Sequence, residues 1–383
     1  MESYCIAGQL LRMFRLQKNW SQETLCQGVC AVSYLSKIEQ GKVEANAQLL
    51  ADLFDRLGVA WEESSDKAEL RDELYEVIFS WNDKAICQKM KLLEDNWDQL
   101  SIGPCYVDFV VIRAFHNRKP EWVPKELEQI LEPRQQALLA ILRDQGDVAY
   151  QVHPCPLTAL FTAQEAFQKG NYMLALEYSQ MAYDQAAREG YAHLMMFSQH
   201  LMAASYSDMG NLEAMYRHSQ IAERLGCALG EDELVSVIRY NIAATKTEYG
   251  DYEGAYDYFC ALQEPDVPAL HKLAVCCEAL GKKEEALDAL NRAKKLETEF
   301  PLKEEICGLV RYRLENPDYL HDPVYGDLLM RTYERIEAEL PSGFARFHLR
   351  WATEWLTANR QYRKAFEILQ RFPQNQNLGL LNW

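Results

Sequence analysis

Apolar residues recur along this chain at three- and four-residue intervals, and alternating β-branched runs of the kind that build strands are scarce. The pattern predicts helices throughout. Near the N-terminus, Leu10, Leu11, Phe14 and Leu16 mark the apolar stripe of a first helix. Ser21 is placed to cap a second helix over residues 22–27, and residues 28–31 read as a turn. A third helix over residues 33–40 carries Leu35 and Ile38 inward and stops at Gly41. Asn46 caps a fourth, with Leu49, Leu50, Leu53 and Phe54 on its inner side, and Leu57-Gly58-Val59 closes the unit. A polar connection over residues 61–66 follows. Further helices are expected over residues 69–79, 84–93, 106–115 and 125–143.

From residue 170 onward the chain repeats itself. Gly170-Asn171-Tyr172 is followed by Ala175 and Ala182, and Gly210-Asn211-Leu212 by Met215 and Ala222. Gly250-Asp251-Tyr252 is followed by Ala255, Phe259 and Leu262, and Gly281-Lys282-Lys283 by Ala286, Leu290 and Ala293. Tyr362 with Ala365 and Leu369 forms a last copy. The first two intervals are 40 residues and the next is 31. Glycine permits a tight inter-helix turn, the aromatic residue packs across it, and the small alanine lets two helices approach. A degenerate unit is expected over residues 301–341. The apolar stretch 378–383 is read as a cap on the final repeat or a docking segment.

Composition narrows the function classes. The chain has 383 residues and a net charge of −17, which argues against a body coated by nucleic acid or an anionic membrane. No apolar run approaches the roughly 18–20 residues needed to span a bilayer, and no signal peptide is expected. The 11 cysteines form no C-x-x-C pair. Cys26 and Cys30 stand four apart and Cys276 and Cys277 are adjacent, but no histidine or cysteine cluster completes a zinc set. They are expected to be reduced thiols in a cytoplasmic protein, with no metal and no cofactor. Phosphate-binding glycine loops, H-E-x-x-H and G-x-S-x-G are absent, and the carboxylates alternate with basic residues on helical faces, so no catalytic residue is assigned.

Two short helices joined by a tight turn are the helix-turn-helix arrangement. Trp20-Ser21-Gln22-Glu23-Thr24-Leu25 and Tyr34-Leu35-Ser36-Lys37-Ile38-Glu39-Gln40-Gly41-Lys42 resemble the two signature segments of the Xre/Cro-type repressor domain, over about residues 6–60. The stretch between them is about one residue shorter than in most members. The resemblance implies that Ser33, Tyr34, Ser36 and Lys37 face the major groove, with Gln22 on a phosphate or base edge and Gln40 and Lys42 near the backbone. Tyr34 either reaches a base or packs inward. Glu39 is expected to pair with a basic side chain such as Arg12 or Arg15. Residues 1–63 carry only −2 of the net charge, leaving −15 to the rest. Phosphate contacts drive most DNA affinity, so a single head should bind weakly, and a homodimer on a palindromic operator is expected.

The repeat units resemble tetratricopeptide repeats, whose first helices line a groove suited to an extended peptide. Counting back from each turn glycine by that family's spacing implies Gln164, His200, Tyr240, Asn241, His271, Lys272 and Arg350 on this face. An asparagine amide offers both a donor and an acceptor to a peptide backbone. The combination resembles the peptide-pheromone-sensing regulators of the Rgg, PlcR, PrgX and NprR group. It implies an all-α chain: a helix-turn-helix domain over residues 1–62, then a right-handed tetratricopeptide-like solenoid over 67–383 for peptide sensing and dimerisation. The implied function is a transcription regulator that binds double-stranded DNA under control of a short signalling peptide, away from membranes. A rival reading is an interaction adaptor whose repeats grip a folded signalling partner, with DNA binding secondary.

Overall fold

The structure is a computed structural model, and it describes residues 3–59, 61, 65–100, 103–297, 299–340 and 342–371. Every regular element among them is helical. The four N-terminal helices are α1 (Ser3–Gln17), α2 (Gln22–Cys26), α3 (Val32–Glu39) and α4 (Ala47–Arg56). Each predicted boundary falls within about a residue. Ser21 Oγ accepts the Thr24 N–H at 3.0 Å and Asn46 Oδ1 accepts the Leu49 N–H at 2.8 Å, as the capping argument requires. Leu10, Leu11, Leu25, Leu35, Ile38, Leu53 and Phe54 form the core of this bundle. Leu16 does not join it and is 49% exposed. Its phase explains the correction: six positions past Leu10 is about 240° around the helix, on the opposite side. Met13 is buried instead.

Next come α5 (Ser65–Phe79), α6 (Asp83–Asp95), α7 (Trp97–Leu100), α8 (Tyr106–His116), α9 (Lys125–Glu128), α10 (Pro133–Leu142) and α11 (Gly146–Val152). The single helix expected over 125–143 is therefore two. Pro133 opens α10 at N1, where its missing N–H costs nothing, and Glu132 and Gln135 close a capping box around it. A buried carboxylate ties three of these helices together. Asp108 on α8 accepts hydrogen bonds from Tyr75 of α5 at 2.7 Å and Gln135 of α10 at 2.6 Å.

The repeats follow: α12 (Pro156–Gln168), α13 (Tyr172–Glu189), α14 (Ala192–Asp208), α15 (Leu212–Leu229), α16 (Asp232–Tyr249), α17 (Tyr252–Ala261), α18 (Val267–Ala279), α19 (Lys283–Lys295), α20 (Lys303–Glu315), α21 (Pro323–Glu339), α22 (Ser342–Ala358) and α23 (Tyr362–Arg371). The degenerate stretch 301–341 contains the hairpin α20–α21. Residues 378–383 lie outside the described residues.

Gly170, Gly190, Gly210, Gly230 and Gly250 all have φ between 70° and 88°. Over this stretch a glycine turn falls midway through each 40-residue interval as well as at its end, so each of α12 to α16, not only each hairpin, closes on one. The Asn or Asp after the glycine has its own task. Asn171, Asn211 and Asp251 each accept the backbone N–H three residues on, capping the helix that follows. The last hairpin turns on Arg360, a non-glycine residue at φ 58°. Packing divides the chain into two compact units, Met1–Glu165 with Tyr178–Met195 and Ala166–Glu177 with Met196–Trp383.

Candidate functional site

In the N-terminal bundle, a buried ion pair aims the third helix. Arg15 of α1 grips Glu39 of α3 through two bonds of 2.7 and 2.8 Å, and also donates to the Trp20 carbonyl. Both side chains are buried. Bidentate Arg–carboxylate geometry fixes orientation as well as distance. Gln22 donates to the same carboxylate at 2.8 Å, so its amide is anchored to α3 within the protein. This is the partnership expected for Glu39, with Arg15 in the role.

With Leu35 and Ile38 turned inward, the opposite face of α3 is exposed at Val32, Ser33 and Lys37 and half-buried at Tyr34 and Ser36. The Tyr34 hydroxyl donates to the Glu44 carbonyl at 3.4 Å, which holds the ring beside the loop after α3. Gln40 donates to Ser36 Oγ at 3.2 Å. Gln40 and Lys42 are exposed at the end of the helix. Ser33, Ser36, Lys37 and Gln40 thus share one accessible side of α3. Tyr34 sits at its edge, and Gln22 is tied underneath.

In the second unit, α14, α15 and α16 line a small pocket that opens to solvent. Its lining includes His200, Ser207, Met215, Ser219, Asn241 and Thr245. Two of the sequence-nominated groove residues, His200 and Asn241, therefore meet at one site. Burial pushes the His200 imidazole down to about 4, so it is neutral near pH 7. Ser207 is buried, and its hydroxyl has no hydrogen-bond partner. Buried polar atoms are nearly always satisfied by protein, water or ligand.

The other nominees lie elsewhere. Gln164 is half-buried on α12 in the first unit. Tyr240 packs edge-on against Phe259, with ring centroids 5.8 Å apart. His271 is 1% exposed and stacks on His348 of α22 at 5.5 Å, with Phe347 and Trp351 around it. Lys272 is buried 3.9 Å from Glu248. Arg350 is exposed, its guanidinium beside Gly250.

Sequence reasoning missed what holds α22 against this face. Arg346 of α22 reaches Asp208 of α14 at 2.6 Å, and the Asp208 side chain has no exposed surface. Burial raises the carboxyl pKa of both Asp208 and Glu248, opposed by Arg346 at the first and by Lys272 and Arg346 at the second. A periodic signal was available. Asp208 and Glu248 each stand two residues before a turn glycine, so they occupy equivalent places on α14 and α16.

The stacked imidazoles make a testable demand on pH. Burial holds His348 at about 4 and His271 well below its usual value, with Lys272 adding to both and Arg313 to His348. Unfolded imidazoles titrate near 6.5. The folded state binds fewer protons, so this stability is present above about pH 6.5 and is lost as pH falls towards 4. Each imidazole contributes a slope of up to about 1.4 kcal/mol per pH unit. Urea midpoints of wild type and His348→Phe between pH 7 and 5 check this. The variant is expected to lose less stability in acid, and carboxylates common to both proteins cancel. Parallel curves refute it.

Residues 11–64 match the helix-turn-helix family model, so the N-terminal bundle is a helix-turn-helix domain. Among solved structures, the chain is similar to a Rap protein complexed with Competence and Sporulation Factor, at 15% identity and a TM-score of 0.57, covering 80% of this chain and 97% of that one. It is also similar to NprR in complex with its cognate peptide NprX, at 15% identity and a TM-score of 0.48, covering 81% and 99%. The likeness to the Rap structure is one of fold. No curated protein matches the sequence. Among the described residues, no helix is long and apolar enough to cross a membrane, and no group of three or more His, Cys, Asp or Glu is arranged to hold a metal ion.

Proposed function

We propose that this chain is a cytoplasmic, sequence-specific transcription regulator whose DNA binding is controlled by a short signalling peptide held by the repeat hairpins. The observation that carries the reading is the pairing of two sites in one chain. A helix-turn-helix head presents a polar, accessible α3 face, and a repeat pocket joins Asn241 to a neutral histidine and an unsatisfied buried serine. Fold likeness to a Rap protein solved with a bound factor supports a ligand-binding role for the hairpins.

Ser33, Ser36 and Lys37 are assigned to base edges, and Gln40 and Lys42 to the backbone. Serine is tolerant of either groove partner and lysine reaches guanine acceptors. A head with a charge of about −2 needs a second copy on a palindrome to bind firmly. Asn241 and His200 are assigned to the peptide, the amide pairing with its backbone as donor and acceptor. A peptide acts only through differential affinity for two arrangements of the protein. The arrangement it favours would set the spacing of two heads on half-sites about one helical turn apart.

The test has two arms. Full-length protein selects its operator from random duplex DNA, and small molecules carried through purification are identified by mass spectrometry. Lys37→Ala is expected to cost about 1–3 kcal/mol on that operator and to relax base preference at one position. Equal loss on every sequence would make Lys37 a phosphate contact. Asn241→Ala is expected to lose the co-purified peptide while keeping operator affinity. Retention of the peptide by Asn241→Ala removes Asn241 from the site, and the absence of any selected operator overturns the regulator reading.

A further inference from the structure

The third helix breaks a local rule at its entrance. α2 and α4 open on Ser21 and Asn46, whose side chains cap them, but α3 opens on Ala31. Ala31 has extended backbone (φ −73°, ψ 144°) and no side chain able to accept a backbone N–H. Alanine at an N-cap forfeits the stabilisation that serine, asparagine or aspartate supplies there. The next residue, Val32, is 43% exposed. Valine is a poor helix former because its branched Cβ restricts χ1, and at this exposure it recovers little by burial. Two successive positions that favour polar residues thus hold apolar ones. Sequences break local rules chiefly where function requires it.

The location is informative. Val32 adjoins Ser33, and Ser36 lies one turn further along the same helix, so the apolar pair continues the accessible face. We propose that Val32, flanked by Ala31, reads the C5-methyl group of a thymine in the major groove. Thymine alone presents a methyl there, and apolar side chains are its natural partner. Neighbouring Ser33 and Lys37 supply hydrogen bonds, whereas Val32 discriminates A·T pairs by shape and hydrophobic contact. This assignment rests on the DNA-reading proposal above and adds a specificity residue to it.

The experiment uses full-length protein and the operator it selects from random duplex DNA. Each thymine of the selected site is replaced in turn by deoxyuridine, which deletes the methyl and leaves base pairing intact. Affinities are measured at one fixed salt concentration. For wild type, one thymine per half-site is expected to respond, weakening binding about fourfold, the factor for one buried methyl-sized group. Val32→Ala, which favours helix and carries little folding risk, is expected to bind the thymine site about fourfold more weakly and to be indifferent to deoxyuridine there. Val32→Thr keeps one methyl and should retain the response. A deoxyuridine effect of the same size in wild type and Val32→Ala overturns the assignment. So does a wild type that ignores deoxyuridine everywhere while still selecting a site, and this leaves the DNA-reading proposal standing. Failure of wild type to select any sequence overturns both.

Discussion

Gly8→Ala is expected to unfold the helix-turn-helix domain and abolish operator binding. A Cβ on Gly8 would sit 2.0 Å from the Ile38 carbonyl oxygen and 2.8 Å from its carbon. Both atoms belong to the backbone of α3, so no flexible side chain can yield. α1 would have to move away from α3 to make room. That strains the Arg15–Glu39 clasp and opens the core in which Leu10, Leu11, Leu35 and Ile38 are buried. Overpacking a tight site costs about 1–3 kcal/mol and sometimes more. A bundle this small has little stability to lose. Limited proteolysis should cut within residues 3–59 of the variant and spare the second unit, with sequence-specific DNA binding gone. Wild-type affinity and protease resistance would show that α1 tolerates the displacement. Gly28→Ala is the control: nothing lies within 4 Å of its Cβ, and only the strain of φ 76° remains. That costs about 1 kcal/mol, so DNA binding should survive.

Arg346→Met is expected to destabilise the second unit by about 3 kcal/mol at pH 7, because it leaves the buried Asp208 carboxylate without its counter-ion. The variant answers by protonating that carboxyl, so the folded pKa of Asp208 rises further above its unfolded value near 3.9. Such a group contributes stability that is full below the unfolded pKa and is lost as pH rises through the folded pKa. The deficit relative to wild type should therefore be smallest in acid and largest at neutral pH. The double variant Asp208→Leu with Arg346→Met should recover most of the loss, since apolar replacement of a whole buried pair is often neutral. Urea titrations of the three proteins at pH 5 and 7 measure this. A pH-independent deficit, or a double variant weaker than the single, would mean that Arg346 acts through packing instead.

Which parts of this molecule are legible in its sequence follows from the range of the forces involved. The caps at Ser21 and Asn46 and the positive-φ turn glycines arise between near neighbours in the chain, where local sequence carries the information, whereas the Arg15–Glu39 pair spans 24 positions and the sequence narrows it only to Arg12 or Arg15. The break at Pro133 is equally local, since a proline at N1 with Glu132 before it marks a helix start. The apolar pattern on either side reads as continuous and hides it. Leu16 misleads for a similar reason: nearness in sequence stands in for angular phase. His271, Lys272 and Tyr240 are different. Their phase places them on the first helices of the hairpins, but α22 arrives from several helices further along the chain to cover His271. The pair Asp208–Arg346 spans 138 positions; the repeat period marks Asp208 and Glu248 as equivalent, but nothing near them in the chain identifies Arg346 as the partner. Asn241 and His200 share a pocket because both lie on neighbouring hairpins that repeat spacing alone could align.

The even step between turn glycines has an evolutionary consequence. α13, α15 and α16 are each 18 residues long, and that length makes five complete turns of an α-helix. Each of these three helices therefore ends at the angular phase at which it began. Recombination between any two of these glycines one full repeat apart would add or remove a whole hairpin without rotating the rest. The ten residues of α17 interrupt that arithmetic. A chain with one hairpin duplicated or deleted between these glycines should therefore still fold in register before Gly250, where the same change made across α17 should not.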